Sequence, residues 1–339
     1  MASYFKSDNT APAAPEIMAA LAAANSGFVR SYGDDPWTAQ LDQRFGELFG
    51  TEVRVFPVAT GTAANALALA TLVPPYGAVL THEEGHIVRD ECGAPEFMTG
   101  GARLMLLRGA GAKLGPEAVQ AAIDANPASV HTVQPRALSL TQATELGTVY
   151  TPAELTAVCA TAHRNGLAVH LDGARFANAV ASLGCTPADI TWKAGVDVLS
   201  FGATKNGAMG AEAVVFFGAA RIADFEFRRK RAAHLLSKMR YVSAQLLAYV
   251  EDGLWLRLAG RANALARRIG AAAGERLMHP VQANEIFAQL GDEGCAALRA
   301  AGFEFYDWGA TGSGEARFVV SWNQPEEDVA RLCEALRPL

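Results

Sequence analysis

Apolar runs of strand length alternate with stretches of helical spacing through residues 36–250. They read VRVFPV (53–58), the alanine- and leucine-rich 63–73, AVLTHE (78–83), 87–98, RLMLL (103–107), 116–126, VHTVQP (130–135), ALSLTQ (137–142), 152–164 and AVHLD (168–172). Short runs without polar alternation suit strands covered on both faces, with the helical stretches doing the covering. The pattern therefore predicts an α/β fold around a mainly parallel sheet. At 196–217 two more apolar runs flank a turn of small residues, and a long helix is expected over roughly 220–250. Beyond it, LWLRLAGRANALARRI, NEIFAQL, GCAALRAAG, FEFYDW, ARFVVSW and PEEDVARLCEAL alternate in the manner of a small α+β unit. The expected division is an N-terminal arm with a short alanine-rich helix (1–35), a large domain (36–250) and a small C-terminal domain (251–339), with no linker long or polar enough to separate the last two.

Composition narrows the class. The chain has 339 residues, half of them hydrophobic, with 32 glycines and 15 prolines spread along it, a profile of a globular enzyme rather than a disordered or fibrous protein. A net charge of −6 and a single basic cluster, RRKR at 228–231, argue against nucleic acid or an anionic membrane as partner. That cluster reads as a solvated helix face. No apolar stretch reaches the roughly 18–20 residues of a membrane span, and the first residues lack a basic-then-apolar signal pattern. Five cysteines without a C-x-x-C spacing suit reduced thiols, so a cytoplasmic protein is expected, with neither a disulfide framework nor a metal site.

The candidate chemistry starts from Lys205, one of six lysines, in the small-residue turn between two apolar runs, SFGATKNGAMG. A lysine can snorkel off such a turn, but one held against buried strands is suited to Schiff-base chemistry. Upstream, AVHLD ends in Asp172 before a glycine turn and Arg175. In open α/β sheets ligands bind at the carboxyl ends of strands, which puts Asp172 in the site. An acid there, 33 residues before a reactive amine, suits pyridoxal phosphate: the amine holds the aldehyde and the carboxylate keeps the ring nitrogen protonated. Alone, Asp172 would read as a helix cap. In ATGTAANALALA (59–70), Gly61 and Thr62 open a helix and offer an anion site; elsewhere the same T-G-T is an ordinary helix start. His86, just past AVLTHE, is a flat imidazole able to stack on a planar cofactor, with Glu91 placed to orient it; His170 reads as core. Arg175 and Arg317 are candidates for a substrate carboxylate, with Ser7 adding a hydroxyl; structural salt bridges and a helix cap are the alternatives.

Together SDNT (7–10), SYGDDPWTA (31–39), ATGTAAN (59–65), THEEGH and DECGAPEF (81–97), SLTQATELGTVY (139–150), HLDGARFANA (170–179), SFGATKNG (200–207) and ARFVVSW (316–322) resemble the threonine aldolase family of fold-type I pyridoxal phosphate enzymes, nearly end to end. The resemblance implies a mainly parallel seven-stranded sheet and Lys205 as the cofactor lysine. It also implies Asp172 on the ring nitrogen, His86 stacked on the ring, Gly61 and Thr62 at the phosphate, and Ser7, Arg175 and Arg317 at the substrate carboxylate. It further implies a homotetramer, a dimer of dimers, with Lys230 or Arg240 reaching a neighbour's phosphate and Tyr32 lining the pocket. Where many members carry a histidine that meets the substrate's β-hydroxyl, this chain reads TQATELG, with Gln142 and Thr144 in its place. That departure is similar to the bacterial low-specificity and phenylserine-cleaving branch. The implied reaction is retro-aldol cleavage of an L-β-hydroxy-α-amino acid to glycine and an aldehyde, with both Cβ epimers accepted. A pyridoxal β-eliminating lyase and a non-catalytic α/β ligand-binding protein are the alternatives.

Overall fold

In the computed structural model, which describes residues 3–218, 222, 224–310 and 312–338, the apolar runs of the large region become one seven-stranded sheet. A short strand β1 (Ser3–Tyr4) comes first. The sheet then takes β2 (Val53–Val58), β3 (Gly77–His82), β4 (Arg103–Leu107), β5 (Gln134–Thr141), β6 (Ala168–Gly173), β7 (Val198–Gly202) and β8 (Glu212–Phe217) in the order β2-β8-β7-β6-β5-β3-β4. Only β8 runs against its neighbours; the other pairs are parallel. Strands β3, β6 and β7 are buried at every position, the physical origin of their mostly apolar runs. Consecutive residues feed opposite cores. Val79, Ala137, Ala168 and Val198 join one apolar cluster with Leu67 and Leu72 of the helix Gly61–Leu72. Leu80, Leu138, Val169 and Leu199 join the other, with Phe45, Val158, Phe176 and Leu246 from four helices.

The C-terminal part carries the helix Leu254–Ala273, β9 (Glu285–Gln289), the helix Gly291–Ala300, β10 (Phe303–Glu304), β11 (Tyr306–Trp308), β12 (Glu315–Val319) and the helix Glu326–Leu336. β11, β12 and β9 form an antiparallel sheet, while β1 pairs in parallel with β10. Phe5 is buried with Phe303 and Phe318, so the start of the arm is sewn into this part. No helix among the described residues is long and apolar enough to cross a membrane.

Four expectations need correction. VHTVQP and ALSLTQ yield one strand, starting at Gln134, with Val130 fully exposed before it. The helix expected over 87–98 is two, His86–Arg89 and Ala94–Thr99, because Cys92 and Gly93 adopt positive φ (51° and 73°). The long helix over 220–250 is Phe225–Arg231 and Arg240–Val250, broken near Ala233 (φ 63°); positions 219–221 and 223 lie outside the described residues. The RRKR cluster is not wholly solvated: Arg229 is buried, over the Phe56 ring and donating to the Pro57 carbonyl at 3.3 Å.

His170 is core, as its strand position indicates. Its ring nitrogens meet the Ser139 and Ser200 hydroxyls at 2.9 Å each, and burial pushes its pKa down to about 4. A folded-state value below the unfolded one means stability that is present above pH ~6.5 and lost as pH falls toward ~4. Urea midpoints measured across that window should fall more steeply with acid in the parent than in His170→Gln, by roughly 2–3 kcal/mol in total. Equal slopes would show that the imidazole protonates without penalty.

Candidate active site

The ends of β5, β6 and β7 set the frame, because the register places Thr141, Asp172 and Ser200 side by side. Asp172 is buried there. Its Oδ1 accepts from the Ala174 amide at 2.9 Å and its Oδ2 from Asn65 Nδ2 at 2.7 Å. The same Asn65 amide group donates to Glu91 Oε1 at 2.8 Å, and Glu91 Oε1 meets His86 Nδ1 at 2.9 Å. One buried asparagine thus ties the strand-end acid to the histidine's orienting carboxylate. The hydrogen bond to Glu91 holds the imidazole's pKa above its ordinary value, and burial raises that of Glu91.

Lys205 sits on the turn Thr204–Asn206 between β7 and β8. The turn is fastened from behind, since Asn206 Nδ2 donates to Tyr249 Oη at 2.6 Å and to the Trp255 carbonyl at 2.8 Å. Gly207 closes it at φ 106°, where a Cβ would also press on Leu258. Gly202 lets β7 approach Ala174, whose carbonyl would lie 2.6 Å from an added Cβ. This is why the motif reads GATKNG: the flanking residues immobilise the turn and leave the amine free. Among the described residues Lys205 has neither an ion pair nor a hydrogen bond.

Lys205, Asp172, His86, Gly61 and Thr62 line one cavity of about 270 Å³, together with Asn9, Asn65, Ser200, Thr204 and Glu212. Thr60 caps the helix Gly61–Leu72 by accepting from the Ala63 amide at 3.2 Å, which leaves the Gly61 and Thr62 amides open at the positive end of the helix. Glu212 accepts from the Ala203 amide at 3.1 Å, and burial pushes its carboxyl up to about 7.

The two arginines stand in the next layer, outside the cavity lining. Arg175 holds Asp8 with two bonds, Nε to Oδ2 at 2.8 Å and Nη2 to Oδ1 at 3.0 Å. Arg317 donates from Nε (3.2 Å) and Nη2 (2.6 Å) to Glu285 Oε1, over the Trp308 ring. Glu285 Oε2 lies 3.4 Å from Arg175 Nη1, so one buried acid bridges both guanidiniums. Asp8 ionises below the usual range: burial opposes this, and Arg175, Lys205 and Asn284 outweigh it. Among the described residues Arg175 Nη1 has only the ion pair with Glu285, and Arg317 Nη1 has no hydrogen bond. Ser7 caps the turn Asp8–Thr10, its Oγ accepting from the Asn9 amide at 3.2 Å.

Other expected residues fall elsewhere. Gln142 is fully buried and spends both ends of its amide on the Tyr150 main chain, at 2.8 and 2.9 Å. Thr144 is equally buried and bonds to the Gly111 carbonyl and the Thr148 hydroxyl. Both shape the loop after β5 with their polar ends committed to protein partners, and neither lines the cavity. Tyr32, Lys230 and Arg240 are also outside the cavity of their own chain: Lys230 Nζ lies 4.3 Å from the Tyr32 ring centroid, and Arg240 donates to the Ser26 and Gly27 carbonyls. Asn65, Asp8, Asn9, Thr204 and Glu285 escaped the sequence reading. Asn65 and Asn9 lie within motifs already noticed, but nothing local marks what they touch.

The profile of the beta-eliminating lyase family matches residues 4–293. A low specificity L-threonine aldolase from a Pseudomonas species is 46% identical over 337 residues, which cover 98% of this chain and 96% of that protein. The low specificity L-threonine aldolase of Pseudomonas aeruginosa matches with the same identity and coverage. Among solved structures, a threonine aldolase from Leishmania major superposes with a TM-score of 0.93 at 29% identity, over 99% of each chain. Matched by that profile over most of its length and by these relatives almost end to end, the chain belongs to the beta-eliminating lyase family and, within it, to the threonine aldolases.

Proposed function

We propose that the protein cleaves L-β-hydroxy-α-amino acids (threonine, allo-threonine and phenylserine-like substrates) to glycine and an aldehyde, with pyridoxal 5'-phosphate as cofactor. The observation that carries this reading is the convergence of an unpaired lysine, a strand-end carboxylate, a carboxylate-oriented imidazole and an open helix N-terminus on one cavity. That donor set fits the cofactor: Lys205 for the aldehyde, Asp172 for the ring nitrogen, His86 for the ring face, and the Gly61 and Thr62 amides for the phosphate. When bound, the cofactor supplies an electron sink for the bond cleaved at Cα. Arg317 is placed to hold the substrate carboxylate through Nη1, and Arg175 through the Nη1 that pairs with Glu285 Oε2 at 3.4 Å, with the Ser7 turn beside them.

The test is product analysis with L-threonine, L-allo-threonine and phenylserine side by side. Glycine release from all three, with less than about a hundredfold preference between the threonine epimers, is the expected result. The family's name favours one second reading, β-elimination, and pyruvate with ammonia in place of glycine would establish it. Asp172→Asn should bind the cofactor yet slow turnover strongly, because the ring nitrogen loses its charged partner. Near-normal turnover would reduce Asp172 to the helix-side cap it makes with the Ala174 amide.

We also place Tyr32, Lys230 and Arg240 at a contact with another copy of the chain in a homotetramer. Support comes from their position outside their own cavity and the exposure of Tyr32 and Lys230. Light scattering of the eluted protein decides it: a monomeric mass with full activity would remove those three residues from the site. All five thiols are free, which suits the reducing cytoplasm.

A further inference from the structure

With Gln142 and Thr144 absorbed by the loop after β5, the ionisable side chain left in TQATELG is Glu145. Its Oε1 accepts from the His86 amide at 2.8 Å and from Thr141 Oγ1 at 2.8 Å, which ties it to the first residue of the helix bearing the imidazole and to the end of β5. Its Oε2 is closed to solvent and accepts no hydrogen bond among the described residues. No lysine or arginine pairs with this carboxylate among the described residues. The titratable and charged groups that feel it are Asp172 at the end of β6, Arg175 at the start of the next helix, and Tyr150 on its own loop, with His86 adjacent through its amide. Glu145 is half-buried and stands beside the cavity, behind His86, rather than in its lining. A carboxylate with one oxygen fixed and the other closed off and unpaired is a poor choice for stability, and such groups concentrate where chemistry is done.

We propose that Glu145 is the acceptor of the substrate's β-hydroxyl proton, with Oε1 held by the main chain and Oε2 taking the proton. This rests on the retro-aldol reading above. In the step, the hydroxyl proton moves to Oε2 and the O–H bonding pair becomes the second bond of the aldehyde carbonyl. The Cα–Cβ bond breaks with its electron pair left on the amino-acid fragment, and a proton added at Cα completes glycine. Substrate and products then balance without oxidant or reductant. Burial, with Asp172 adding to it, pushes the carboxyl up to about 7, against the pull of the Thr141 and His86 hydrogen bonds, so it changes charge where a neutral-pH base should.

The test uses the cofactor-loaded enzyme and Glu145→Gln, whose amide oxygen can still accept from the His86 amide and Thr141. Three quantities are read: L-threonine cleavage against pH, exchange of the glycine α-hydrogen in heavy water, and the infrared band of a protonated carboxyl. In the parent, cleavage should rise as pH passes through ~7, as the base loses its proton. In Glu145→Gln, cleavage should fall roughly a hundredfold or more, the acid limb should disappear, and the carboxyl intensity titrating near 7 should drop to the part that Glu212 contributes. Glycine exchange, which needs no β-hydroxyl, should stay within about threefold of the parent. Glu145→Asp should recover part of the cleavage. An unchanged acid limb, or equal loss of cleavage and exchange, overturns the assignment and leaves Glu145 as a tether for the His86 turn. If Glu145→Gln does not fold, the infrared titration of Glu212→Gln, which removes the other carboxyl in that range, decides: no carboxyl titrating near 7 there overturns it. Failure of the parent itself to release glycine would instead remove the functional reading.

Discussion

Lys205→Ala is expected to lose at least a thousandfold in turnover, about 4 kcal/mol of barrier, while folding normally. Among the described residues the amine has no ion pair or hydrogen bond, so truncation strands no paired group and should shift the urea midpoint little. Several other lysines are occupied: Lys6 with Glu304, Lys113 with Glu154, Lys193 with Asp189 and Lys230 on the Tyr32 ring. Lys205 alone among the six lysines lines the cavity with Asp172 and His86. Borohydride treatment of the loaded protein should therefore add the reduced cofactor mass to the peptide that carries Lys205. Finding the adduct on Lys193, Lys230 or Lys238 would sink the assignment.

Arg175→Ala should fail twice, in stability and in substrate binding. The guanidinium is the bidentate partner of Asp8 and shares Glu285 with Arg317, and both acids are buried. Removing one partner of a buried pair leaves an uncompensated charge, a cost of about 3–5 kcal/mol. Loss of a charge-assisted contact to the substrate carboxylate should raise KM by an amount equivalent to roughly 1.5–3 kcal/mol. The double variant Arg175→Ala with Asp8→Asn separates the two, since it should regain part of the stability and none of the affinity. Arg175→Lys keeps the charge but not the fork and should remain impaired. A parent-like urea midpoint in Arg175→Ala would contradict the burial of the pair, and a parent-like KM would eliminate the carboxylate clamp. Arg317→Ala, which leaves Glu285 with Arg175, should show the KM effect with a smaller stability loss.

What the chain's order alone determined is what depends on neighbours in sequence. Strands buried on both faces are mostly apolar, so β3, β6 and β7 were legible as short runs despite the buried polar residues His170 and Ser200 within them and Thr81, His82 and Asp172 near their ends. The strand-turn-helix around Asp172 and the small-residue turn around Lys205 were legible too, because their geometry is set by residues one or two positions away. Helix breaks near Gly93 and Ala233 were not: Gly93 with Pro95 is a breaker signal that was passed over, while the positive φ of the non-glycine residues Cys92 and Ala233 is unmarked by residue type. The tertiary structure alone decided which polar side chains meet. Asn65 joins Asp172 across 107 positions, and Arg175 holds Asp8 across 167. A hydrogen bond depends on distance and direction in space, and neither is encoded by a residue's type or immediate context. Within TQATELG the candidates Gln142 and Thr144 stand just before Glu145, which nothing in the sequence had singled out. The path of the loop turned the first two toward the Tyr150 main chain, the Gly111 carbonyl and the Thr148 hydroxyl, and the third toward the His86 amide. Composition named the available chemistry, and the fold selected among it, because only a packed chain fixes where each side chain points.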